Sequence, residues 1–208
     1  MIAIIDYGVG NLFSLRSSLN YLGFEAEVSG DVGTLSRAEK LILPGVGAFG
    51  DAMDKLKATG LVEPLLELAS NGRPLLGICL GMQMLFDESF EFGKHAGLGL
   101  LKGRVEPMET PLREMGSTLK VPQIGWNALH ILRPDCPLLR SCVEGSYVYY
   151  VHSYYAVGCT ESLAAESDYG VSVPGVVWKD NVFGTQFHPE KSGEVGLGIL
   201  KAFCEVRL

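Results

Sequence analysis

Residues 74–83 constrain this chain more than any other stretch. A short apolar run, Leu75, Leu76 and Ile78, ends in Gly77-Ile78-Cys79-Leu80-Gly81, and the helix-favouring run Met82-Gln83-Met84-Leu85-Phe86-Asp87-Glu88 follows at once. Strand, sharp turn and helix make the layout of a nucleophile elbow, with Cys where the G-x-S-x-G hydrolases carry Ser. A nucleophile on so tight a bend has strained dihedrals and crowded neighbours, so Gly77 and Gly81 are needed to remove the Cβ atoms that would clash. The helix behind Cys79 offers unpaired N–H groups and a positive dipole end, which favour thiolate over thiol. Free Cys is also among the most buried residue types, and a lone Cys in an apolar run serves as core just as well. What decides is whether the chain also supplies a base, an orienting group and an oxyanion hole.

Length sets the frame for that search. At 208 residues the chain is expected to form one well-buried α/β domain spanning 1–208. Its formal charge of -7 comes without a basic block, which argues against nucleic acid as a partner. Met1-Ile2-Ala3-Ile4-Ile5-Asp6 lacks a basic leader region and meets an acid early, so a first strand is expected there rather than a signal peptide or membrane span. The five cysteines (Cys79, Cys136, Cys142, Cys159, Cys204) include no C-x-x-C pair. That argues against a disulfide framework and a zinc site, and for a reducing cytoplasm; no metal or other cofactor is expected.

Taken in order, residues 2–7 read as a buried strand. Gly8-Val9-Gly10-Asn11 then turns into an amphipathic helix carrying Leu12, Leu15, Leu19 and Leu22, which Gly23 ends. A second strand is predicted over 24–28 and a third over 40–43, joined by a short polar connection. Strands alternating with helices predict an α/β fold: a doubly wound, mostly parallel sheet with helices on both faces and ligands beyond the carboxyl ends of its strands. Pro44-Gly45-Val46-Gly47-Ala48-Phe49-Gly50 follows the third strand, and its unshielded N–H groups suit either an oxyanion loop or a plain turn. Helices over 52–56 and 61–69 lead back to the elbow. From residue 98 onward short Val-, Tyr- and Phe-rich runs predict an antiparallel extension without helical periodicity until residue 192. Within it, the aromatic run 147–155 is expected to bury one face and line a cleft with the other.

Phe183-Gly184-Thr185-Gln186-Phe187-His188-Pro189-Glu190 supplies the missing base. A strand is expected to deliver His188 at its end, with Glu190 projecting from the same side of an extended backbone, so that the carboxylate holds one imidazole nitrogen while the other faces a thiol. A last helix is predicted over 194–206.

With Cys79, His188 and Glu190 together, the chain resembles the class I (triad) glutamine amidotransferases, which have a flavodoxin-like fold. The resemblance runs nearly full length. It is carried by Asp6-Tyr7-Gly8-Val9-Gly10-Asn11-Leu12, Leu43-Pro44-Gly45-Val46-Gly47-Ala48-Phe49, the elbow through Gln83, Gly125-Trp126-Asn127, Val151-His152-Ser153-Tyr154-Tyr155 and Phe187-His188-Pro189-Glu190-Lys191-Ser192. The segments at Gly8, Pro44 and Trp126 narrow it to the branch serving histidine biosynthesis.

The resemblance implies that Cys79 attacks the side-chain amide of L-glutamine, that His188 takes the thiol proton and gives it to departing ammonia, and that Glu190 holds the imidazole. It implies an oxyanion hole from Leu80 and the Val46 or Gly47 amides, formed after a peptide flip. Glutamine would be held by Gly47, Gln83, Glu91, Ser153 and Tyr154, with Glu91 on its α-ammonium. It further implies a separate (β/α)8-barrel cyclase subunit, reached through Asn11, Trp126 and Lys191, that accepts the ammonia in a heterodimer and activates the glutaminase. Relatives often carry His where this chain has Gln123, so a proton-transfer role at that position does not carry over. Two other readings fit the same residues: a triad amidotransferase of another pathway, and a non-catalytic regulatory subunit.

Overall fold

The computed structural model describes residues 1–207. The first half builds the predicted α/β layers from β1 (Ile2–Ile5), α1 (Leu12–Tyr21), β2 (Ala26–Ser29), α2 (Val32–Arg37), β3 (Lys40–Gly45), α3 (Phe49–Ala58), α4 (Val62–Ser70), β4 (Leu75–Cys79) and α5 (Leu80–Met84). The connection between β2 and β3, expected to be only a short polar link, forms α2 because the Asp31 side chain accepts the Thr34 N–H at 2.8 Å and caps its first turn. The helix behind the elbow also departs from expectation: it begins directly after Cys79 and ends at Met84 instead of reaching 88. Segment 97–101 ends it, because Leu98 donates to the Met84 carbonyl and Leu100 and Leu101 to that of Leu85.

The second half contributes β5 (Glu88–Ser89), β6 (His95–Ala96), β7 (Arg104–Pro107), α6 (Glu109–Glu114), β8 (Gln123–Ala128), β9 (His130–Ile131), β10 (Tyr147–His152), β11 (Tyr154–Val157), β12 (Leu163–Asp168), β13 (Ser172–Lys179), β14 (Val182–Thr185) and α7 (Gly193–Cys204). The short helix α6 was not expected from the pattern. The main sheet has eight strands in the order β2-β1-β3-β4-β14-β13-β12-β9. From β2 to β14 the pairings are parallel, and beyond β14 they are antiparallel. Part of the predicted extension therefore continues the main sheet. The remainder forms a separate β10-β8 pair and a four-stranded sheet β11-β7-β5-β6.

Alternation along the strands divides the core in two, as burial on both faces of a parallel sheet requires. Ile2 and Ile4 of β1 pack with Leu15 and Leu19 of α1 and Ile199 and Phe203 of α7. Ala3 and Ile5 face the other way, onto Leu35 of α2, Leu56 of α3 and Leu65 of α4. β4 and β14 lie side by side at the centre, with Thr185 in register with Ile78. The carboxyl ends of these two strands thus open at one edge, where the elbow and the His-Pro-Glu turn meet.

Candidate active site

Cys79 sits at the junction of β4 and α5 with φ +54° and ψ -113°. A non-glycine residue there stores about 1–3 kcal/mol of strain, which persists only where the surroundings over-determine the backbone. Here they do, because β4 is hydrogen-bonded by β3 on one side and β14 on the other. The flanking glycines are fixed by close approach: a Cβ on Gly77 would lie 2.6 Å from the Gly81 carbonyl oxygen, and one on Gly81 would run into the Leu43 carbonyl. The Leu80 N–H opens α5 and so has no intrahelical partner.

His188 lies beyond the end of β14, but its carboxylate partner reaches it differently from the expected extended geometry. Residues Pro189–Lys191 form a 3-10 turn, closed by the Lys191 N–H on the His188 carbonyl at 3.0 Å. Proline at the first position of the turn presets its φ. The turn folds Glu190 back so that Oε1 is 2.9 Å from His188 Nδ1, with both side chains almost fully buried. Burial by itself pushes the imidazole down. Hydrogen bonds to Cys79 and Glu190, and the negative charge of each, outweigh it and hold His188 up to about 10. The site therefore favours imidazolium.

A cavity of about 360 Å³ opens in front of these groups, a size suited to a small molecule. Cys79, His188 and the backbone of Val46, Gly47 and Leu80 border it. So do Gln83, Glu91, Ser153 and Tyr154, every residue expected to hold glutamine, and Lys191 stands at its margin. Glu190 lies behind His188 and shares a small adjoining void with Asn11 and Pro44. Trp126 is not brought to the cavity. It is 51% exposed on the outer face of β8, edge-on to Tyr149 at 6.0 Å between ring centroids.

The outward face of the aromatic run was expected to line a cleft. It does so at its carboxyl end, where Val151, Ser153 and Tyr154 border the cavity, while Val148, Tyr150 and His152 are buried and the start of the run, Tyr147 beside Ile124 of β8, is open surface. Glu91 carries a second contact: its Oε2 accepts the Phe49 N–H at 2.6 Å, capping α3, and burial raises its carboxyl above the ordinary range.

Two residues at the site had been given no role by the sequence. His152 donates Nδ1–H to the Tyr154 carbonyl at 2.8 Å, and burial, with repulsion from His188, lowers it to about 4. Gln186, wholly buried, has its amide nitrogen 3.8 Å from Cys79 Sγ. The signal for Gln186 was a lone amide side chain in an otherwise apolar strand end, which must find partners inside. Among the described residues, no cluster of three or more His, Cys, Asp or Glu is placed to hold a metal ion, and no helix is long and apolar enough to cross a membrane.

A cysteine elbow facing a histidine that a buried glutamate holds, on a doubly wound sheet, defines a class-I glutamine amidotransferase. The family model Glutamine amidotransferase class-I matches residues 3–205. Among solved structures, one described as a glutamine amidotransferase superposes with a TM-score of 0.74 at 18% identity, covering 98% of this chain and 100% of the other. PurLQS from Thermotoga maritima gives 0.74 at 21% identity, covering 98% and 96%, so these two share the fold. The imidazole glycerol phosphate synthase subunit HisH of Syntrophotalea carbinolica is 52% identical over 99% of this chain and 100% of its own length. That of Geobacillus thermodenitrificans is 54% identical over 99% and 96%. The chain belongs to the class-I glutamine amidotransferase family and, within it, to the imidazole glycerol phosphate synthase HisH subunits.

Proposed function

We propose that this chain, as one domain over 1–208, is the glutaminase subunit of an imidazole glycerol phosphate synthase in the cytoplasm. Cys79 attacks the glutamine carboxamide carbon, and the tetrahedral oxyanion is met by the N–H of Leu80 and one from Val46 or Gly47, each worth ~3–4 kcal/mol in comparable enzymes. His188 gives its proton to the departing ammonia, and water then releases glutamate from the thioester. Glu190 keeps the imidazole oriented throughout. Gln83, Ser153 and Tyr154 hold the amino acid, and the free edge of the Glu91 carboxylate takes its ammonium. The observation that supports this reading is the cavity itself, bordered by Cys79, His188, Gln83, Glu91, Ser153 and Tyr154 around one small-molecule volume.

Ammonia set free in neutral water becomes ammonium, which has no lone pair to react with, so the product must pass directly to an acceptor site. We assign that site to a separate (β/α)8-barrel cyclase subunit in a heterodimer, docked over Asn11, Trp126 and Lys191. Support comes from the exposed apolar strip of Ile124, Trp126 and Tyr147, which is of the kind that protein interfaces cover. The cyclase, loaded with its ligand, remodels the loop at Pro44 to Gly47 and accelerates glutamine hydrolysis. Glutamate release by the pure chain, with and without liganded cyclase, tests both parts. A large acceleration that Cys79→Ala abolishes is expected. Equal rates with and without cyclase would end the coupling, and an electrophilic glutamine analogue that left Cys79 unlabelled in the complex would end the nucleophile assignment.

A further inference from the structure

The cysteine sulfur meets one side-chain amide, that of Gln186, and the direction of that amide is not free. The Tyr154 carbonyl can only accept, so the Gln83 group 2.9 Å from it is the NH2 end. The same Gln83 nitrogen lies 3.0 Å from the Gln186 side chain. Gln186 must therefore turn its oxygen toward Gln83, which leaves its own NH2 facing Cys79 Sγ at 3.8 Å. Flipping Gln186 would oppose two NH2 groups and aim oxygen lone pairs at sulfur. Both partners are buried, so neither arrangement could be relieved by bulk water.

We infer that Gln186 is a fixed hydrogen-bond donor to the Cys79 sulfur, a positioning and charge-stabilising group whose aim is set through Gln83 from the backbone of Tyr154. A thiolate in an enclosed site needs donors, and His188 supplies only one direction of approach. In the first half of the reaction the sulfur electron pair forms the C–S bond, the C–N bond breaks, and His188 protonates the nitrogen that leaves as ammonia. In the second half water forms a C–O bond and gives its proton to His188, left neutral by the first half, the C–S bond breaks, and its electron pair returns to sulfur beside the Gln186 N–H groups. The donor therefore acts where negative charge resides on sulfur, before acylation and after deacylation. The relay begins at two residues that border the glutamine cavity, so the groups that hold substrate also hold the donor in place.

This inference rests on Cys79 being the nucleophile, and the experiment separates the two. The full chain, without glutamine, is treated with iodoacetamide across a range of pH, and peptide mass spectrometry follows each of the five cysteines. Cys79 is expected to be modified, and Gln186→Met to slow that modification about tenfold near neutral pH, the size of a hydrogen bond to a charged group. Identical profiles for the native chain and Gln186→Met overturn the inference and leave the nucleophile standing; no modification of Cys79 in the native chain removes the nucleophile itself. If Gln186→Met does not fold, the Gln186 side-chain amide protons are followed by NMR instead. A pH-dependent shift that Cys79→Ala abolishes supports the contact, and the same titration in both proteins overturns it.

Discussion

At the scale of single residues, the surroundings push two neighbouring imidazoles in opposite directions. His188 and His152 are both buried near Cys79, yet one is held up to about 10 and the other down to about 4. The difference is the partner: burial opposes charge on each, but His188 has hydrogen bonds and negative charge from Glu190 and Cys79 to offset it, whereas His152 has only a carbonyl. His152 therefore makes stability depend on pH. Its folded value lies below its unfolded value near 6.5, so the unfolded chain binds more protons between the two, and stability is present above about 6.5 and lost as pH falls toward about 4. Urea unfolding of the native chain should lose about 2 kcal/mol between pH 7 and pH 5 from this group. His152→Gln should show a shallower slope over that window; an unchanged slope would contradict the assignment. The proposed triad was legible from residue types and spacing, whereas His152 and Gln186 were not, because the burial and the His188 charge that act on His152, and the Gln83 and Cys79 side chains that Gln186 meets, come from distant parts of the chain.

Elements carry the next part of the argument. The bend at Cys79 exists because β4 continues straight into α5 without a loop, which the apolar run and the two glycines foretold. Its tightness is a matter of contact: Gly77 packs on the first turn of α5. Gly77→Ala should therefore lower the unfolding free energy by about 1–3 kcal/mol, as overpacking in a fixed core does. It should also reduce glutamine hydrolysis by displacing Cys79; a denaturation midpoint equal to the native chain's would show that the elbow can yield. The Glu190 geometry shows the limit of local reading. The sequence placed it on an extended strand, but Pro189 begins a 3-10 turn, and the carboxylate arrives at His188 over that turn. The pairing was foreseen and the backbone that makes it was not.

For the molecule as a whole, the sheet order places the proposed catalytic groups and the outer surface in one arrangement. The crossover that sets β14 beside β4 brings residues 79 and 188 to the same edge, and the β10-β8 pair flanks that edge with its apolar face outward. Trp126→Ala should weaken binding to the cyclase by roughly 2 kcal/mol or more, the loss expected of a central aromatic anchor. Calorimetric titration reads that loss, and the unfolding midpoint of the isolated chain should barely move, since Trp126 is half exposed. An unchanged affinity would place the interface elsewhere. The amino-acid sequence by itself determined the elbow, the alternation that buries both faces of the central strands, and the choice of Cys79, His188 and Glu190 as proposed nucleophile, base and orienting acid, because each is written in residue size and period over a few neighbours. Only the tertiary structure decided which strands adjoin, where the antiparallel strands join the main sheet, and which way each buried amide faces. Those depend on contacts between residues tens of positions apart, where hydrogen-bond direction is fixed by the partner rather than by the chain nearby.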